Sequence, residues 1–438
     1  MHPLLIAGAV TLAMKLAGIG LLLLATMVMT RALGADAYGV YIFTLSLVAV
    51  FAEPQFAALQ TVAVRYGSID IRRSDFDALT GLRRRLRRLS VIGAVIVAIA
   101  LSVTAAIVGE EWGGAAIAAC LIGAALPFMQ GYNRVSDGLL RARGAIVAGQ
   151  FPKLLLRPLL LLGYVLVAVR IAGADFDAGW AMAMQLAAAA TAAGVYAGLI
   201  RKWLPLQPKG DRPIDRWREW RYELPPLFGS SILKVVDNRI AILMLGILAA
   251  PVDAGQFQVA FRLAELIILT PSVASLVIEP RIARCVDSGD TAAAQRTITA
   301  AARWVFGATL ASSAGVILLG PWLLGLFGAE FVDVASTLAV LAIAQTLRAG
   351  LGMVIPLLDI TGYARVSVVG TALGVAIQLG LCIALIPSFG PLGAAWAVLI
   401  SNTITKVYLM WRVYRCLGLY TTVLGAWVNP SRWRGRSH

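Results

Sequence analysis

Residues 4–30 read LLIAGAVTLAMKLAGIGLLLLATMVMT, and Lys15 is the one charged side chain in that run. A hydrocarbon core roughly 30 Å thick is crossed by about 20 apolar helical residues. The segment is therefore expected to be a membrane span. It is expected to be retained, because it lacks a basic leader and is too long for a cleaved signal peptide. The same reading extends outward along the chain. Of its 438 residues 59% are hydrophobic and 14% charged, with mean hydropathy +0.81. Soluble domains are nearer half apolar and a quarter charged. Twelve spans are expected, at 4–30, 38–65, 90–109, 114–138, 146–169, 178–200, 223–249, 255–280, 301–326, 332–358, 366–387 and 391–413. The fold class is an all-α polytopic membrane protein with short connectors.

An internal repeat organises these spans. Tyr38-Gly39-Val40-Tyr41 opens span 2, and Ala254-Gly255-Gln256-Phe257 opens span 8, 216 positions later. Pro54 and Pro271 lie in spans 2 and 8 at an offset of 217, and Gly144 and Gly362 follow spans 4 and 10 at 218. Gly179-Trp180-Ala181 and Ala395-Trp396-Ala397 open spans 6 and 12 at 216. Near-constant offsets imply two parallel six-helix bundles. The expected organisation is a bundle at 1–200, a cytoplasmic connector at 201–221, a second bundle at 222–413 and a basic tail at 414–438. Two such bundles would face each other across a central cavity and rock between inward and outward openings.

The 38 Lys and Arg exceed the 23 Asp and Glu, giving a net charge of +15. Basic residues collect between spans 2 and 3 (Arg72 to Arg88), in the connector and after span 12, all on one side of the membrane. By the positive-inside rule that side is cytoplasmic, so both termini are expected there. The run Arg83 to Arg88 suits anionic lipid and topology rather than nucleic acid. The two histidines, His2 and His438, are terminal, and the four cysteines lack metal-binding spacing. No lysine follows a glycine, so the phosphate loop of ATP hydrolysis is missing. No catalytic cluster stands out, and an enzyme is not expected. Neither is a cofactor.

Ionisable residues inside a membrane cost at least about 2.5 kcal/mol each on insertion scales and so face a cavity or a partner. Lys15, Glu53, Lys234, Asp237, Arg262, Glu265 and Arg348 fall near mid-span. Lys153 and Arg157 in span 5, with Arg134 and Asp137 in span 4, fall nearer the cytoplasmic end. Lys234–Asp237 and Arg262–Glu265 have spacing that allows neutralisation on one helix, and Lys15 can reach Glu53 across spans. Cations remain in excess, which suits an anionic head group such as phosphate or pyrophosphate. Glu53, Asp237 and Glu265 are candidates for H+ or Na+ coupling, and Pro54 and Pro271 for gating kinks.

Thr30-Arg31-Ala32-Leu33-Gly34-Ala35-Asp36-Ala37-Tyr38-Gly39-Val40-Tyr41 resembles the R-x-L-G-x-x-x-Y-G-x-Y opening of the polysaccharide-biosynthesis flippases. These form a branch of the multidrug/oligosaccharidyl-lipid/polysaccharide exporter superfamily. Val64-Arg65-Tyr66 resembles that family's "R-Y" pair, and Asp237 before Arg239-Ile240 resembles its "D-R" segment. The resemblance implies flipping of an undecaprenyl-pyrophosphate oligosaccharide across the bacterial inner membrane for cell-surface polysaccharide such as O-antigen or lipopolysaccharide. It adds Arg65 to the substrate-binding candidates Lys15, Lys153, Arg157, Lys234, Arg262 and Arg348. Implied partners are membrane lipid, the lipid-linked oligosaccharide, a polymerase and glycosyltransferases. Drug exporters of the same superfamily are the alternative.

Overall fold

The computed structural model describes residues 3–204, 217–269, 291–351, 354–360 and 363–417. Almost all of them are helical, and no strand occurs among them. Helix α1 (Pro3–Arg72) contains spans 1 and 2, divided by a bend at Gly34. There φ is 72° and ψ 177°, a conformation open essentially to glycine alone. Then follow α2 (Phe76–Trp112), α3 (Gly114–Gly123), α4 (Leu126–Ala142) and α5 (Ile146–Phe151). A π-helical turn at Pro152–Leu156 leads into α6 (Arg157–Ala172), and α7 (Ala178–Trp203) completes the first six spans. The short α8 (Trp217–Trp220) precedes α9 (Leu224–Leu248) and α10 (Pro251–Glu265). Last come α11 (Thr291–Leu318), α12 (Gly320–Gly325), α13 (Ala335–Gly350), α14 (Val354–Ile360) and α15 (Ala364–Leu417).

Among the described residues, eight helical stretches are long and apolar enough to cross a membrane. Two of them bend at Gly34 and Gly390 and hold two spans each, which makes ten. Helices α9 and α10 occupy the places of spans 7 and 8. The chain is a multi-pass membrane protein. The far end of span 8 with Pro271, the connector at 205–216, Gly362 and the tail from 418 lie outside the described residues.

The chain divides into two compact units, Met1–Arg239 and Ile240–His438. In the first, α1 packs on α2, α4 and α6, and α7 on α3 and α4. Small residues allow this: a Cβ on Gly138 would stand 2.9 Å from the Gln60 carbonyl oxygen, and one on Gly131 2.8 Å from the Phe56 ring. In the second unit α13 packs on α10, α11 and α15. The repeat also appears in the backbone. Gly173 (φ 55°, ψ −118°) and Gly390 (φ 53°, ψ −130°) turn the chain between spans 5 and 6 and between spans 11 and 12, 217 positions apart.

One expectation is corrected. The third span is expected from residue 90, but α2 begins at Phe76 and already carries the run Arg83 to Arg88. The Asp75 carboxylate accepts the Ala78 N–H at 3.0 Å and caps the helix. Leu79, Leu82 and Leu86 then bury one face of it, and arginine is itself a good helix former.

Candidate functional site

The first unit holds a polar cluster inside its membrane helices. Glu53 and Gln60 come from the second limb of α1, two turns apart on one face. Close packing at Gly131 and Gly138 brings α4 against that face, so Arg134 reaches Glu53 at 3.8 Å and donates to Gln60 Oε1 at 3.4 Å. Gln60 Nε2 donates to Asp137 Oδ2, and Asp137 is only 2% exposed. Its Oδ1 is buried without a hydrogen-bond partner among the described residues. The absence of a side chain at Gly149 leaves room beside that oxygen: a Cβ there would stand 3.1 Å from it. The Tyr196 hydroxyl, from α7, donates to the Gly149 carbonyl at 2.8 Å.

The π turn carries Lys153, which is exposed, and Arg157, which is half-buried, beside this cluster. The Arg157 N–H bonds to the Pro152 carbonyl, the five-residue bond of a π helix. Such a turn re-aims side chains and often marks functional sites. Lys153 lies in the field of Asp137 and Glu53, with Arg134 and Arg141 as like charges. Arg157 lies in the field of Glu53, Arg134 and the Tyr41 and Tyr196 phenols. The first limb of α1 presses on this turn, and a Cβ on Gly18 would overlap the Leu154 carbonyl oxygen. Three cations thus face two carboxylates, and the cluster carries a net positive charge.

The other predicted residues are placed differently. Lys15 is exposed and does not pair with Glu53, because Arg134 on the adjoining α4 takes that carboxylate. Arg65 donates to Glu223 Oε2 at 3.0 Å, and the Tyr66 hydroxyl donates to Glu223 Oε1 at 2.9 Å. The R-Y pair therefore ties the end of span 2 to the segment before α9. Arg262 and Glu265 pair on α10 at 3.1 Å. Lys234 and Arg348 are exposed, Asp237 is half-buried, and Pro54 is buried within α1. Pro271 falls outside the described residues. No group of three metal-ligating side chains occurs among the described residues.

Gln60 and Tyr196 were not singled out by the sequence. The three-residue step from Arg134 to Asp137 was the available signal, and Tyr41 stands in the flippase-like motif. Neutral side chains earn a role only when packing brings them to a charge.

No protein-family model matches the chain, and no curated sequence matches it. Among solved structures it is similar to an inward-facing multidrug resistance MATE family transporter of the MOP superfamily. The TM-score is 0.75 at 18% identity, over 93% of this chain and 97% of that one. It is similar to the lipid II flippase MurJ in an inward closed conformation, with TM-score 0.67 at 12% identity over 93% and 87%. A third is a MOP superfamily transporter from Pyrococcus furiosus, described by the reverse polarity of its binding pocket, with TM-score 0.62 at 17% identity over 94% of each chain. This chain has the fold of these membrane transporters.

Proposed function

We propose that this protein translocates an undecaprenyl-pyrophosphate-linked oligosaccharide across the bacterial inner membrane by alternating access, with both termini cytoplasmic, and that it is not an enzyme. One observation carries the reading: Arg134, Lys153 and Arg157 outnumber Glu53 and Asp137 in a cluster set among membrane helices. A surplus of cations in a low-dielectric site stabilises an anionic head group, and arginine can hold pyrophosphate oxygens in pairs. Lys15, Lys234, Arg262 and Arg348 would extend the cationic path, and Arg65 would contribute at its cytoplasmic mouth. Glu53 and Asp137 would exchange H+ as the pyrophosphate arrives and leaves, with Asp237 and Glu265 as further coupling candidates. Pro54 and Pro271 would give spans 2 and 8 their freedom to bend.

The test follows radiolabelled undecaprenyl-pyrophosphate oligosaccharide across vesicle leaflets with and without the protein. Protein-dependent exposure on the far leaflet is expected, with Lys153→Ala and Arg157→Ala each slowing it by about tenfold or more, the loss of one charge-assisted contact. A second reading, cation-coupled export of small molecules, is favoured by the 0.75 TM-score to a multidrug transporter. Unchanged leaflet exposure across matched glycans, with altered drug sensitivity on deletion, would select it and sink the flippase reading.

A further inference from the structure

One face of α2 takes no part in the polar cluster described above. Arg84, Arg87 and Arg88 are exposed there, and so are Val91, Ile92, Val95, Ile96, Ile99, Val103 and Ile107. At 100° per residue these positions form one continuous helical face. Its apolar part is heavily exposed, at 62% for Ile96, 60% for Ile99 and 69% for Ile107. On a membrane helix such a surface suits lipid tails. From Arg88 to Ile107 the helix rises about 29 Å, close to the roughly 30 Å of a hydrocarbon core. The three arginines therefore sit within about one turn of the end of the tails, at head-group depth.

Neighbouring arginines are already engaged. Arg85 lies over the Trp217 ring at 5.1 Å, and Arg83 is half-buried near the Tyr132 phenol. Arg87 also lies over Tyr132, at 5.5 Å, while its residue stays exposed. Arg84 and Arg88 have no hydrogen bond or ion pair to a described residue. Leu82 and Leu86 bury the opposite face and hold the helix against the bundle. Arg84, Arg87 and Arg88 thus have no ion pair with an acid among the described residues.

We propose that Arg84, Arg87 and Arg88 form a docking face for the phosphate head groups of anionic glycerophospholipids. Each basic side chain at an anionic membrane surface strengthens binding by about fivefold. Topology alone would need the charges but no retained lipid. This inference stands apart from the identity of the cargo.

The test is native mass spectrometry of the full chain in detergent, titrated with phosphatidylglycerol or phosphatidylcholine of matched acyl chains. The wild type is expected to retain phosphatidylglycerol at least about tenfold better, from several charges at about fivefold each. The variant Arg84→Gln/Arg87→Gln/Arg88→Gln is expected to lose that preference. A wild-type ratio in this variant would overturn the proposal and leave the run a topological signal only. If the triple variant does not accumulate, Arg84→Gln/Arg88→Gln is read by the same ratio, since neither side chain holds the fold together.

Discussion

At the residue scale, the site depends on neutral groups that hold charged ones in place. Gln60 serves Arg134 with its oxygen and Asp137 with its nitrogen. Replacing it with Leu leaves the buried Asp137 carboxylate without its partner, at a cost of about 1–3 kcal/mol. Gln60→Leu should therefore melt earlier in detergent than the wild type, and an unchanged melting temperature would remove Gln60 from the network. Arg65 is the opposite case. Its side chain is 63% exposed, so its ion pair with Glu223 contributes about 0–1 kcal/mol. Arg65→Ala should keep its melting temperature within a few degrees. Any large loss of translocation in that folded variant then reports on cargo rather than on stability.

Elements meet where glycine permits it. Val at Gly138 would drive a branched side chain into the Gln60 carbonyl on α1, costing about 1–3 kcal/mol by overpacking. Gly173→Ala and Gly390→Ala should each cost about 1–2 kcal/mol, because alanine resists positive φ. Their losses should match, since the two glycines share one conformation. Gly163→Ala is the control, as its added methyl meets nothing within 4 Å, and it should unfold no earlier than the wild type. Thermal melts of the four variants check the series. The start of α2 shows what apolar pattern overlooks. Apolarity stops at the arginines, whereas backbone hydrogen bonding runs on to the Asp75 cap.

For the whole molecule, an even number of spans places both ends of the chain in one compartment. Reporter fusions after Arg143, in the connector at 205–216 and in the tail should all read cytoplasmic, while fusions near Gly113 and Gly328 should read the opposite side. A connector and tail on opposite sides would break the twelve-span count. Sequence alone determined the membrane class, most of the spans and the offset of the repeat, because apolar length and the placement of glycine and proline are local properties of the chain. The sign of the intramembrane charge was legible too, as a surplus of Lys and Arg. Partnership was decided only by tertiary structure. Glu53 meets Arg134 instead of Lys15, the R-Y pair meets Glu223, and the π turn brings Lys153 and Arg157 into the field of Glu53. Such choices depend on which helix faces close to within a few ångströms. That distance is set by packing between segments far apart in the chain, where no local pattern records it.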